Sequence, residues 1–143
     1  MKPLEVVAIA RETLGTPYLH QQRVAGLALD CAGVPVHVAR RMGLPFDDIT
    51  NYGRLPQPAE MRRVLEANLV RVAKADMTYG DVAWIRFLQE PQHFGIVGNY
   101  CHGGFSLIHA YNGAGPGKVA EHRLDARWLE RIVSVWRFPG VDA

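Results

Sequence analysis

The sequence predicts an α+β domain in which a group of helices is followed by an antiparallel sheet. Helical spacing of apolar residues dominates the first 68 positions. Beyond them come short runs rich in β-branched and aromatic residues, separated by Gly- or Pro-containing turns. Helices first and strands afterwards is the α+β pattern. The length of 143 residues is enough for one packed core and too short for two ordinary ones, so residues 1–143 are read as a single domain.

The opening helix, over residues 3–14, sets Leu4, Val7, Ile9 (or Ala8) and Leu14 near one face, turns Arg11 and Glu12 outward, and stops at Gly15. Thr16-Pro17-Tyr18 is extended, because a residue before proline avoids the helical region. Leu19 to Arg23 is a polar connection, and a short apolar lead-in then ends at Asp30. A second helix runs from Cys31 until Gly43 and Pro45 end it; Pro35 is tolerated in its first turns, where backbone N–H groups have no intrahelical partner. Residues 46–57 form a loop rich in turn formers, and Pro58 opens a helix over Ala59–Asn68 with Met61, Val64 and Leu65 on one face. Strands are expected at Leu69–Val72, Val82–Leu88, Phe94–Val97, Phe105–Tyr111, Lys118–Leu124 and Ile132–Phe138, with a short helix at Asp125–Glu130.

Composition narrows the function classes. With 48% hydrophobic and 21% charged residues the chain is globular, and a net charge of +2 with scattered basic residues argues against nucleic acid as a partner. The N-terminal twelve residues lack the continuous apolar core of a signal peptide, and no stretch approaches the length needed to insert into a membrane. Synthesis and folding in the cytoplasm, or carriage in a particle assembled there, is the expectation. Neither a metal nor an organic cofactor is called for.

Cys31 is the residue to which the chemistry points. Asp30 is a good helix N-cap, which puts the thiol at the positive end of a helix, where its thiolate is favoured. A buried structural cysteine is the alternative reading of the same position. Cys101 lies in Gly98-Asn99-Tyr100-Cys101-His102-Gly103-Gly104, a hairpin connection, and a zinc site with His102 and His109 would lack a second paired motif. A bridge between Cys31 and Cys101 is not expected without an export signal.

A cysteine nucleophile needs a base, and the base needs an orienting partner. His37 follows Cys31 on the same helix, too far round to face the sulfur; His20 is in the approach loop, His102 in a turn, and His122 in a late strand where it is expected to be exposed. His93 and His109 sit in strands that become neighbours if the 98–104 segment is a hairpin turn, and they then supply base and orienter, or two half-buried polar residues satisfied by the backbone.

Four blocks in order carry a family resemblance: Leu14-Gly15-Thr16-Pro17-Tyr18, Leu29-Asp30-Cys31-Ala32-Gly33, Gly80-Asp81-Val82-Ala83-Trp84, and His93-Phe94-Gly95-Ile96-Val97 with Ile108-His109-Ala110. Together they run through most of the chain, and it resembles the NlpC/p60 family of papain-like cysteine peptidases, which cleave bacterial cell-wall peptides. The resemblance implies a papain-like fold, Cys31 as nucleophile, His93 as general base and His109 as the residue orienting it. It also implies that Tyr18 lies beside the nucleophile and, with Asp30 and the Cys31 backbone N–H at the helix start, serves the substrate or the oxyanion. Gly80-Asp81 is expected to be structural.

Tyr18-Leu19-His20-Gln21, followed by a long gap to Asp30-Cys31, is most similar to the short members found in phage tails and gene transfer particles. The expected activity is hydrolysis of an amide in a peptidoglycan stem peptide, between D-glutamate and a diamino acid, with phage tail proteins as further partners. Two alternatives stand: a non-catalytic tail-tip protein that is structural or binds the wall, and an acyltransferase or amidase on the same fold. Arg23, Arg54 and Arg86 are candidates for selecting substrate carboxylates.

Overall fold

The structure, a computed structural model, describes residues 1–19, 23–26, 28–46, 58–87, 91–111 and 117–142. Helix α1 spans Pro3–Arg11, with Pro at its first position and the Lys2 backbone N–H donating to Glu5 Oε2 at 2.8 Å. A two-stranded hairpin follows, β1 (Arg23–Val24) against β2 (Ala28–Leu29), where a polar connection and a short apolar lead-in are expected from the sequence. Helix α2 spans Gly33–Arg41 and α3 spans Pro58–Asn68. The expected 46–57 loop lies, from residue 47 on, outside the described residues, as do His20, Gln21 and Arg54.

The second part of the chain is the predicted sheet. Its strands are β3 (Val70–Val72), β4 (Val82–Arg86), β5 (Pro91–Asn99), β6 (Phe105–Tyr111), β7 (Lys118–Arg123) and β8 (Ile132–Arg137), with a 3-10 turn at Lys74–Asp76 between the first two. They lie in the order β3-β8-β4-β5-β6-β7, every pair antiparallel. The short helix α4 (Ala126–Arg131) is capped by Asp125, whose carboxylate accepts from the Trp128 N–H at 3.0 Å. The fold is α+β, as the order of patterns predicted.

Strand alternation divides the core in two. On one side Val82, Trp84, Phe94, Ile96, Ile108 and Ala110 meet Val6, Val7 and Ala10 of α1, Val34 and Val38 of α2, and Met61 and Leu65 of α3. On the other Ala83, Ile85, Val97, Leu107 and Val135 pack with Leu124, Ile132, Trp128 and Leu129, the last two on α4.

The apolar face of α1 differs from the expected one. Leu4 is 52% and Leu14 41% exposed, and the buried stripe is Val6, Val7 and Ala10. The helix stops at Arg11, so Leu14 falls out of helical register. Arg11 is not turned outward: its guanidinium holds both carboxylate oxygens of Glu121 on β7 at 2.8–2.9 Å and donates to the Asn99 carbonyl, tying α1 to the sheet.

Gly80 and Asp81 do the structural work expected of them. Gly80 has φ +86° and sits where a Cβ would come within 3.0 Å of the Pro3 carbonyl and of Val6, so only glycine lets α1 lie against this turn. Asp81 is buried, accepts from the Thr78 N–H, and forms a two-point ion pair with Arg137 at 2.8 and 2.9 Å.

Candidate active site

Cys31 occupies the turn before α2 rather than the first helical residue. The Gly33 N–H donates to both the carbonyl and the Oδ1 of Asp30 at 3.0 Å, and the first i→i−4 bond runs from the Val36 N–H to Ala32. Asp30 therefore caps, as predicted, but it caps a tight turn that precedes the helix proper. Asp30 and Cys31 are both buried, 1% and 7% exposed.

Tyr18 is brought to the same place by the edge of the sheet. Gly15 and Thr16 bond to Val119 on β7 and Tyr18 to Gly117 just before it, and Thr16 Oγ1 accepts from the Gly26 N–H. Burial, then the neighbouring Cys31 and Asp30, push the Tyr18 phenol up to about 12, so it is a neutral hydroxyl at physiological pH.

His93 and His109 meet as the sequence suggested. Ile96 pairs with Ile108, so continuing the register by one residue sets Gly95 opposite His109 and puts His93 on the diagonal of the same face. Nε2 of His93 lies 2.6 Å from Nδ1 of His109, and both residues are buried. Burial and the neighbouring imidazoles hold His93 down to about 3 and His109 to about 2, so both rings are neutral.

His122 corrects the expectation that it would be exposed. It is half-buried on β7, with Nε2 2.7 Å from Nε2 of His109 and Nδ1 2.8 Å from the Arg123 carbonyl oxygen. Its place two residues after Ala120, the cross-strand partner of His109, was readable only once the β6–β7 register was known. Phe87, Tyr111 and Trp128 surround the three imidazoles, with ring centroids 4.9 Å from His93, 5.4 Å from His109 and 5.0 Å from His122 respectively.

The imidazoles project on the α4 side of the sheet, because Ile85, the partner of His93, and Leu107, the partner of His122, belong to that cluster. The Cys31 turn leads α2, which packs on the other side. At the start of β5, Ala32 and Phe94, the chain neighbours of Cys31 and His93, line one small apolar cavity with Pro35, Val64, Leu65 and Val82.

The remaining candidates are placed as follows. Cys101 and His102 are exposed in the turn between β5 and β6, away from buried His109, so the three do not form a zinc site. Among the described residues no group of three or more His, Cys, Asp or Glu side chains is arranged for a metal ion, and no helix is long and apolar enough to cross a membrane. His37 bonds to Glu12, which follows the last residue of α1, 3.0 Å away.

No family model and no curated protein matches the chain. Solved structures do. The NlpC/p60 domain of the peptidoglycan hydrolase SagA superposes with a TM-score of 0.67 at 19% identity, over 96% of this chain and 100% of that one. A Staphylococcus aureus subsp. aureus Mu50 protein described as similar to lipoprotein, NLP/P60 family, superposes with a TM-score of 0.63 at 14% identity over 95% of this chain, which spans 41% of that protein's length. At these identities the likeness is one of fold, and the chain has the papain-like α+β fold of NlpC/p60 domains.

Proposed function

We propose that the chain is a cysteine hydrolase that cleaves an amide bond in bacterial peptidoglycan stem peptides, with Cys31 as nucleophile, His93 as general base and His109 as its orienting partner. The observation that carries the reading is the buried His93–His109 bond. It engages Nε2 of His93 and leaves Nδ1 of that ring to serve the sulfur in this reading.

The neutral state of His93 fixes how the proton moves. A ring held down to about 3 does not form a resting ion pair with the thiol; it takes the Sγ proton as the sulfur attacks the carbonyl carbon. The tetrahedral oxyanion is held by the Cys31 N–H at the turn before α2 and by the neutral Tyr18 hydroxyl. Protonated His93 then gives its proton to the leaving amine, leaving a thioester on Cys31. Water, deprotonated by His93, hydrolyses the thioester and returns the thiol. Asp30 holds the turn that carries the sulfur, through its bonds to the Gly33 N–H.

The substrate class rests on the fold likeness to NlpC/p60 domains, one from a peptidoglycan hydrolase, and on the motif resemblance. The bond between D-glutamate and a diamino acid, and service in a phage or prophage tail, are the finer parts of the same proposal. Incubation with a synthetic stem peptide, read by mass spectrometry, tests it. A new amine whose appearance requires Cys31, His93 and His109 is expected. Binding without cleavage would favour a structural or wall-binding tail-tip protein, and transfer of the acyl group to an acceptor other than water would favour an acyltransferase.

A further inference from the structure

One imidazole is left over from the Cys-His-His reading, and both its nitrogens are committed. Nδ1 of His122 faces the Arg123 carbonyl, and a carbonyl oxygen only accepts, so Nδ1 carries a hydrogen. In a neutral imidazole the other nitrogen is then a lone pair. Nε2 of His122 therefore accepts, and His109 donates to it from Nε2. His109, neutral in turn, accepts at Nδ1, and His93 donates from Nε2. The nitrogen that remains without hydrogen is Nδ1 of His93. Each assignment follows from the one before, because a neutral ring has one donor and one acceptor.

We infer that His122 is a positioning residue: anchored on the Arg123 carbonyl, it sets the tautomers of His109 and His93 so that His93 presents a bare Nδ1 to the thiol of Cys31. The catalytic consequence rests on the hydrolase reading above; the proton pattern itself rests on the hydrogen-bond geometry of three neutral rings. With the opposite pattern His93 would turn an N–H toward the sulfur and could not take its proton. The rings around the chain of imidazoles reinforce the choice. Trp128 lies 5.2 Å from His109 and 5.0 Å from His122, and Tyr111 stacks on His109, crowding out waters that would offer either tautomer a partner. Burial of His93 and His109 favours their neutral forms.

The test is nitrogen NMR of histidine-labelled protein at pH 8, where an ordinary histidine is neutral. Wild-type protein is expected to show a bare Nδ1 and a protonated Nε2 on both His93 and His109, and a protonated Nδ1 on His122. This spectrum needs no variant to fold. His122→Phe removes the acceptor: both rings then become tautomer mixtures, and kcat for the stem peptide falls about tenfold or more with KM unchanged, a partial form of the loss seen when a catalytic histidine takes the wrong tautomer. His122→Gln, whose side-chain carbonyl accepts from His109 Nε2, restores both readings. A protonated Nδ1 on wild-type His93, or tautomers unmoved in His122→Phe, overturns the inference. The expected proton pattern in a protein that cleaves no stem peptide upholds the arrangement and defeats only the hydrolase reading.

Discussion

Nε2 of His93 and Nδ1 of His109 are 2.6 Å apart on neighbouring strands, in a part of the sheet closed to water on both rings. Their pairing has a consequence for stability. Both rings are held well below the ordinary histidine value of 6.5, to about 3 and about 2, so below pH 6.5 the unfolded chain binds protons that the folded chain refuses. Stability from these groups is complete above pH 6.5 and is lost as pH falls toward 3. Glu12 does not intrude on the upper part of this window: it is held down to about 2 from an ordinary 4.5 by Arg41 and His37, and its loss begins only below 4.5. Urea unfolding is expected to show at pH 5 a loss of about 2 kcal/mol per histidine relative to pH 7.5. Equal stability at the two pH values would contradict the buried neutral pair.

Gly95 makes the pairing possible. A Cβ there would stand 2.5 Å from Leu107 Cδ1 and 3.4 Å from His109 Cβ, between two side chains that are fully buried. Gly95→Ala is expected to destabilise by about 1–3 kcal/mol, as overpacking does, and to disturb His109. Trimming the neighbour in Gly95→Ala/Leu107→Ala should return the His109 nitrogen resonances toward wild type although the core loses volume. Resonances equally displaced in both variants would show that the glycine acts otherwise.

The Asp81–Arg137 pair is the most deeply buried ion pair among the described residues, with Asp81 fully inside and Arg137 16% exposed. Removing one partner strands the other, so Asp81→Ala should cost about 3 kcal/mol in urea unfolding. Asp81→Ala/Arg137→Ala should cost less than the sum of the single variants. Strict additivity would mean that the two residues stabilise the β4–β8 junction independently.

The two thiols should differ in consequence. Cys101 is exposed in a turn and Cys31 is buried beside Tyr18. Cys101→Ser is expected to retain full stem-peptide cleavage and to lose the fast phase of alkylation, whereas Cys31→Ser should lose cleavage by about 100-fold or more. Loss of activity in Cys101→Ser would place the reacting thiol in the wrong half of the molecule.

Much of this was legible in the residues. Short β-branched runs bounded by Gly and Pro marked the strands, and Pro58 and Asp125 marked helix starts, because these signals are local. The His93–His109 pairing was legible because one hairpin turn fixes the register of both strands. His122 was not, since its contact with His109 depends on a third strand joined by a longer connection. The buried face of α1 was legible only in part: Val7 lies on it as expected, but Leu4 and Leu14 are as apolar as Val6, and only the sheet selects which stripe it covers. The β1–β2 hairpin, two residues a side, is too short to show a period.

Rapid-quench mass spectrometry of the intact protein mixed with a stem peptide tests whether Cys31 is the nucleophile. A transient mass increase equal to the acyl half of the substrate is expected, located on Cys31 and absent in His93→Ala. Release of the amine with no adduct on Cys31, or at an undiminished rate in Cys31→Ala, would contradict it.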